Sequence, residues 1–87
     1  MASVSIPSLM RDLTGGLARV EAPGRTVAEV VDALNVAYPG VKARLCEGVR
    51  LMAGLAVSVD GRLTRLGLQQ PVGPQSEIRF LRASEGG

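Results

Sequence analysis

The chain has 87 residues, enough for one compact domain and too few for two. It contains no histidine, no tryptophan, one cysteine (Cys46), one tyrosine (Tyr38) and one phenylalanine (Phe80). That excludes His-based nucleophile pairs, imidazole or Cys-rich metal sites, an internal disulfide and an aromatic platform for single-stranded nucleic acid. Ten basic against eight acidic residues leave a net charge of +2, and the cations, nine arginines and Lys42, form no run or stripe.

Ala2-Ser3-Val4-Ser5-Ile6 alternates apolar and polar residues with period two, the pattern of a half-buried strand, and Pro7 ends it. Leu9 and Leu13 are expected to cover the end of the core while the chain crosses to a second strand. Thr14-Gly15-Gly16 reverses the chain, and Leu17 to Glu21 returns with Ala18 and Val20 on one face. Pro23-Gly24 closes this hairpin. Thr26-Val27-Ala28-Glu29 is a capping box, in which the Thr26 hydroxyl accepts from the Glu29 amide and the Glu29 carboxylate returns to the Thr26 amide. Val27, Val30, Val31, Leu34 and Tyr38 then recur at helical spacing, with Glu29, Asp32 and Asn35 on the other side, until Pro39-Gly40 stops the helix. Val41 to Glu47 adds a short turn that buries Val41 and Leu45 and ends at Gly48.

Leu55 to Val59 is the clearest strand, with Leu55, Val57 and Val59 toward the core. Asp60-Gly61 is a strong hairpin signal that returns the chain through Arg62-Leu63-Thr64. Leu66-Gly67-Leu68 reads as one helical turn, and Pro71 with Gly73-Pro74-Gln75-Ser76 as an exposed turn. Ile78 to Arg82 is the last strand, with Ile78 and Phe80 inward and Arg79 and Leu81 outward. The order predicts an α+β domain over residues 1–82. Its mixed four- to five-stranded sheet carries one main helix on one face and the last strand in the middle, parallel to the first, the β-grasp (ubiquitin-like) arrangement. The other face stays open, with Ser58, Arg79 and Leu81 on it, and forms a docking surface. Residues 83–87 are expected to be a flexible tail ending in Gly86-Gly87.

Two residues without Cβ can pass a narrow channel and lay a terminal carboxylate beside a nucleotide. Other chemistry is scarce. Ser8 and Thr14 have no base, Asp60 and Glu77 sit singly beside turns, and Cys46 suits a small buried apolar site. Lys42 is the only side-chain amine able to accept an isopeptide bond. The N-terminus has no basic start followed by a long apolar stretch, and no apolar run reaches the roughly 20 residues of a membrane span. A cytoplasmic location is therefore expected, with Cys46 reduced and neither membrane nor nucleic acid as a partner.

Val4-Ser5-Ile6-Pro7-Ser8-Leu9-Met10-Arg11 with Leu13-Thr14-Gly15-Gly16 resembles the opening of ubiquitin-like sulfur carrier proteins. These include the molybdopterin-synthase small subunit and thiamine carriers, and the resemblance is nearest to carriers that serve a cysteine synthase. Thr26-Val27, Tyr38-Pro39-Gly40, Arg44-Leu45, Val57-Ser58-Val59-Asp60-Gly61 and the Gly-Gly end extend it along the whole chain. It implies a co-substrate rather than an enzyme. The Gly87 carboxylate would be adenylated by an E1-like enzyme, which uses ATP, and converted to a thiocarboxylate whose sulfur a downstream synthase consumes. Gly86 is then the steric requirement beside Gly87, with no further residue to be removed after it, and the carrier itself holds no cofactor and no metal. Ser58, Arg79, Leu81, Arg82, Ala83, Ser84 and Glu85 would meet the partners. Close relatives carry Pro-Ala-Val-Ala before the glycines, whereas Arg82-Ala83-Ser84-Glu85 brings two polar residues, one anionic, into the partner's channel. Phe-Val-Asn is likewise replaced by Leu55-Ala56-Val57. Two alternatives share the same activated end: a protein modifier conjugated to lysines, and the small subunit of a molybdopterin-synthase-type enzyme. The acceptor of the sulfur (cysteine, cofactor or specialised metabolite) is open.

Overall fold

The period-two segment at the N-terminus folds as β1 (Ala2–Ser5) and pairs antiparallel with β2 (Arg19–Ala22), Val4 opposite Val20. A computed structural model describes residues 1–82; the expected tail, 83–87, lies outside the described residues. After β2 come α1 (Val27–Ala37), α2 (Val41–Leu45), β3 (Cys46–Glu47), β4 (Arg50–Leu51), β5 (Leu55–Val59), β6 (Arg62–Leu63) and β7 (Glu77–Arg82). The main sheet runs β2-β1-β7-β5-β6. β7 lies in the middle, parallel to β1 and antiparallel to β5. This is the α+β β-grasp arrangement with one dominant helix.

Alternation along each strand selects the covered face. Val4, Val57 and Ile78 point to it, and Val27, Val30, Val31 and Leu34 of α1 close over them. Each such side chain contributes roughly 1.5–3 kcal/mol by leaving water. Val41 and Leu45 of α2 are buried as their spacing predicts, and Leu68 fills the edge from a single turn of 3-10 helix at Gly67–Gln69.

The connections depart from expectation in instructive ways. Leu9 does not cover the core; it is 75% exposed, and Met10 is buried in its place. A 3-10 turn at Ser8–Met10 rotates the chain by about 120° per residue, which turns Met10 inward. β2 starts two residues later than predicted, at Arg19, and Ala18 is exposed. The capping box is displaced by one residue on its return arm. Thr26 Oγ1 accepts from the Glu29 amide at 3.2 Å, but Glu29 Oε1 accepts from the Arg25 amide at 3.0 Å. The backbone of this stretch is tied to the segment before β7 by Val27 N to Gln70 O and Val72 N to Arg25 O, so Arg25 is held facing the first turn. Gly24 permits that approach: a Cβ there would lie 2.6 Å from the Val30 amide nitrogen.

Asn35, placed on the solvent side of α1 by periodicity, links the two helices. Its Oδ1 accepts from the amides of Gly40 and Lys42, each at 3.1 Å. The small β3–β4 hairpin has no counterpart in the sequence reading, which ended that turn at Gly48. Two-residue strands are too short to display a period. Asp60 and Gly61 both have positive φ, 53° and 83°, as the hairpin signal requires. The Asp60 carboxylate also ties this turn to the start of β7, accepting from the Glu77 amide at 2.9 Å and the Ser76 hydroxyl at 3.2 Å.

Candidate functional site

β1 and β7 are parallel, so both end at the same edge of the sheet, and the chain leaves β7 there at Arg82 toward the terminal glycines. Gly86 and Gly87, with Ala83, Ser84 and Glu85 before them, lie outside the described residues. What the structure positions is the platform from which they depart.

Strand alternation divides the expected docking residues between two faces. Ile78 and Phe80 point into the core and Arg79 and Leu81 to the open face. By the same alternation Arg82 falls on the helix side. There it borders a groove of about 360 Å³ at the sheet's end with Leu9, Arg44, Leu45, Leu55 and Phe80. Arg44 is fixed in that groove, donating to the Leu9 carbonyl at 3.1 Å and pairing with Asp12 at 3.3 Å. Arg79 and Arg82 therefore leave the strand on opposite faces of the sheet.

On the open face, register builds a row from edge to edge: Arg19, Ser5, Arg79, Ser58, Leu63. Ser58 lies on this face as expected but is only 7% exposed. Its short side chain is flanked by the much longer Arg79 and Leu63, so it forms the floor of the surface and not a projection. Arg11 and Arg19 were not singled out in the sequence. The pairing of Ser5 with both strands brings Arg19 beside Arg79, and the Arg11 side chain reaches them from the turn after β1.

Cys46 is the other group with latent reactivity. It is 8% exposed, and burial pushes its thiol up from the ordinary cysteine range; nearby Lys42 opposes this and Asp32 reinforces it, both more weakly. Lys42 is engaged with Asp32, Nζ to Oδ1 at 2.7 Å, and that hydrogen bond raises its own pKa. A raised thiol pKa means less thiolate at any given pH below it, so Cys46 is a poor nucleophile. Alkylation by iodoacetamide at neutral pH is expected to be at least about tenfold slower than that of a small free thiol, and to reach the free rate only on unfolding. Among the described residues, no group of three His, Cys, Asp or Glu could hold a metal ion.

The model of the ThiS family matches residues 4–87. Among solved structures, a chain of the Amycolatopsis orientalis BexX/CysO complex is 36% identical, with both chains covered in full and a TM-score of 0.90. The Mycobacterium tuberculosis antigen CysO is 28% identical over 97% of this chain and 100% of its own, with a TM-score of 0.87. Small archaeal modifier protein 1 from Methanosarcina acetivorans is 22% identical over 99% of this chain and 95% of its own. Its TM-score of 0.76 is a likeness of fold alone. No curated protein matches.

Proposed function

The chain belongs to the ThiS family of ubiquitin-like sulfur carriers and is acted on by partner enzymes, and from that premise we propose that its sulfur travels on the carboxylate of Gly87. The observation that carries the reading is the extent of the family match, which runs through residue 87 and so includes Gly86 and Gly87.

An oxygen of the Gly87 carboxylate attacks the α-phosphorus of ATP held by an E1-like partner. Pyrophosphate leaves and an acyl-adenylate remains. Hydrogen sulfide then attacks the carbonyl carbon, AMP departs, and the product is the terminal thiocarboxylate. A downstream synthase takes this sulfur onto its own electrophile. ATP belongs to the activating enzyme, and the carrier contributes position. Gly86 and Gly87 present no Cβ to the channel walls, and Arg79, Leu81, Ser58 and Arg82, with Ala83 to Glu85, meet the partners. The central place of β7 supports this division of labour, because the strand before the tail is hydrogen-bonded on both sides. The described residues contain no helix long and apolar enough to cross a membrane, and we assign the carrier to the cytoplasm, where sulfide transfer and a reduced Cys46 are compatible.

Intact-mass spectrometry after incubation with an E1-like enzyme, ATP and sulfide tests the reading. The expected product is the chain with one oxygen exchanged for sulfur. Conjugates to lysine amines without that exchange would replace the carrier mechanism by a modifier mechanism.

A further inference from the structure

The fold gathers three arginines, Arg19 and Arg79 from the sheet and Arg11 from the turn after β1. Ser5 lies directly opposite Arg19 on β2 and Arg79 on β7, so the two cations stand on either side of a residue too short to separate them. With strands about 4.8 Å apart, their backbones are roughly 10 Å from one another. Arg11 approaches from the turn after β1. Its Nε donates to the Ile6 carbonyl at 3.1 Å, which fixes the guanidinium while leaving its terminal nitrogens for other acceptors. The three surround a shallow hollow of about 360 Å³ whose remaining rim includes Ala18 and Leu81.

Among the described residues that line it, the hollow has no acidic side chain. Among the described residues the ion pairs are Lys42 with Asp32 and Arg44 with Asp12, and none involves Arg11, Arg19 or Arg79. The nearest acidic side chains on this face, Glu21 and Glu77, flank Ser3 in the adjoining row, about 7 Å back along the strands. The face is thus polarised, basic toward the end from which the tail departs and acidic behind it.

We propose that this hollow seats a carboxylate-rich segment of the protein that receives Gly87. The inference rests on the carrier reading and names the partner's chemistry. Charge complementarity carries it: planar guanidinium groups grip carboxylates two oxygens at a time, and among the described residues none of the three forms an ion pair around this shallow surface. Position agrees, since Arg79 is three residues before the end of β7. The five residues after Arg82 reach at most about 18 Å, so a partner held at the hollow has its reaction centre within that distance of the end of β7.

Titration of the isotopically labelled full chain with an octaglutamate peptide, followed by amide chemical shifts, tests the surface directly. Shifts are expected at Ser5, Arg11, Arg19 and Arg79. Arg19→Glu and Arg79→Glu should each weaken binding by about tenfold, and the milder Arg19→Gln and Arg79→Gln by less. Arg65→Glu makes the same change in net charge at the β6 end and should leave affinity within about twofold. Equal weakening by Arg65→Glu would overturn the proposal, as would tighter binding of an RNA oligonucleotide of matched charge. A second arm uses the activating enzyme: Arg19→Glu and Arg79→Glu are expected to raise KM for thiocarboxylate formation with kcat retained. Wild-type KM in both variants would remove the docking role and leave Gly87 as sulfur carrier. Absence of thiocarboxylate on the wild-type chain would instead remove the Gly87 reading, while the peptide titration still decides the hollow.

Discussion

A chain ending at Glu85 is expected to accept no sulfur, yet to melt within about 2 °C of the full-length protein. Both halves follow from where the chemistry and the packing reside. Without Gly86 and Gly87 the carboxylate moves back two residues, about 7 Å of extended chain, and carries the Glu85 side chain beside it. Misplacement of a reacting group by 1 Å can cost a hundredfold, so a displacement of several times that leaves thiocarboxylate formation below detection. The core, by contrast, is made of residues between Ala2 and Phe80. Comparing sulfur incorporation and thermal melting on the same two preparations checks both halves. Normal incorporation by the shortened chain would refute the role of the terminal pair.

The largest effect on stability is expected from Ile78→Ala. Ile78 is 1% exposed and lies on the central strand, opposite Val4 of β1 and Val59 of β5. Its truncation leaves a cavity under α1 that neither neighbouring strand can fill without shifting its own register, and such changes cost about 2–5 kcal/mol. Small domains have only about 5–15 kcal/mol in hand, and each kcal/mol moves the melting point of a domain this size by about 4–8 °C. A fall of at least about 10 °C is therefore expected in thermal denaturation. Arg79→Ala, one residue along on the open face, is expected to change stability by no more than about 0.5 kcal/mol. Comparable losses from the two would contradict a sheet with one packed face.

The main elements were legible because their periods are. Four apolar positions at helical spacing behind a Thr-x-x-Glu cap define α1, and the Asp60-Gly61 turn defines the β5–β6 hairpin. The central, parallel place of β7 was allowed by the element order, as in the β-grasp arrangement, and is fixed by its register with β1 and β5. What escaped the reading is set by contacts between distant residues or by stretches too short to repeat. The β3–β4 hairpin has two residues per strand. A single 3-10 turn exchanged the roles of Leu9 and Met10. Asn35 carries no local mark of its two bonds to the next helix.

At the site, the alternation that put Arg79 and Leu81 outward also places Arg82 on the opposite side. The basic hollow depends on a register that joins Arg19, Ser5 and Arg79 across β2, β1 and β7. The terminal glycines were the reverse case, conspicuous in the sequence and without need of any fold to be noticed.

Fragmentation mass spectrometry of the sulfur-loaded chain tests the central claim most directly, because it places the sulfur on a residue. The predicted result is an oxygen-to-sulfur exchange confined to C-terminal fragments containing Gly87, retained in Cys46→Ala. Sulfur added to Cys46 as a persulfide, with Gly87 unchanged and loading lost in Cys46→Ala, would contradict it.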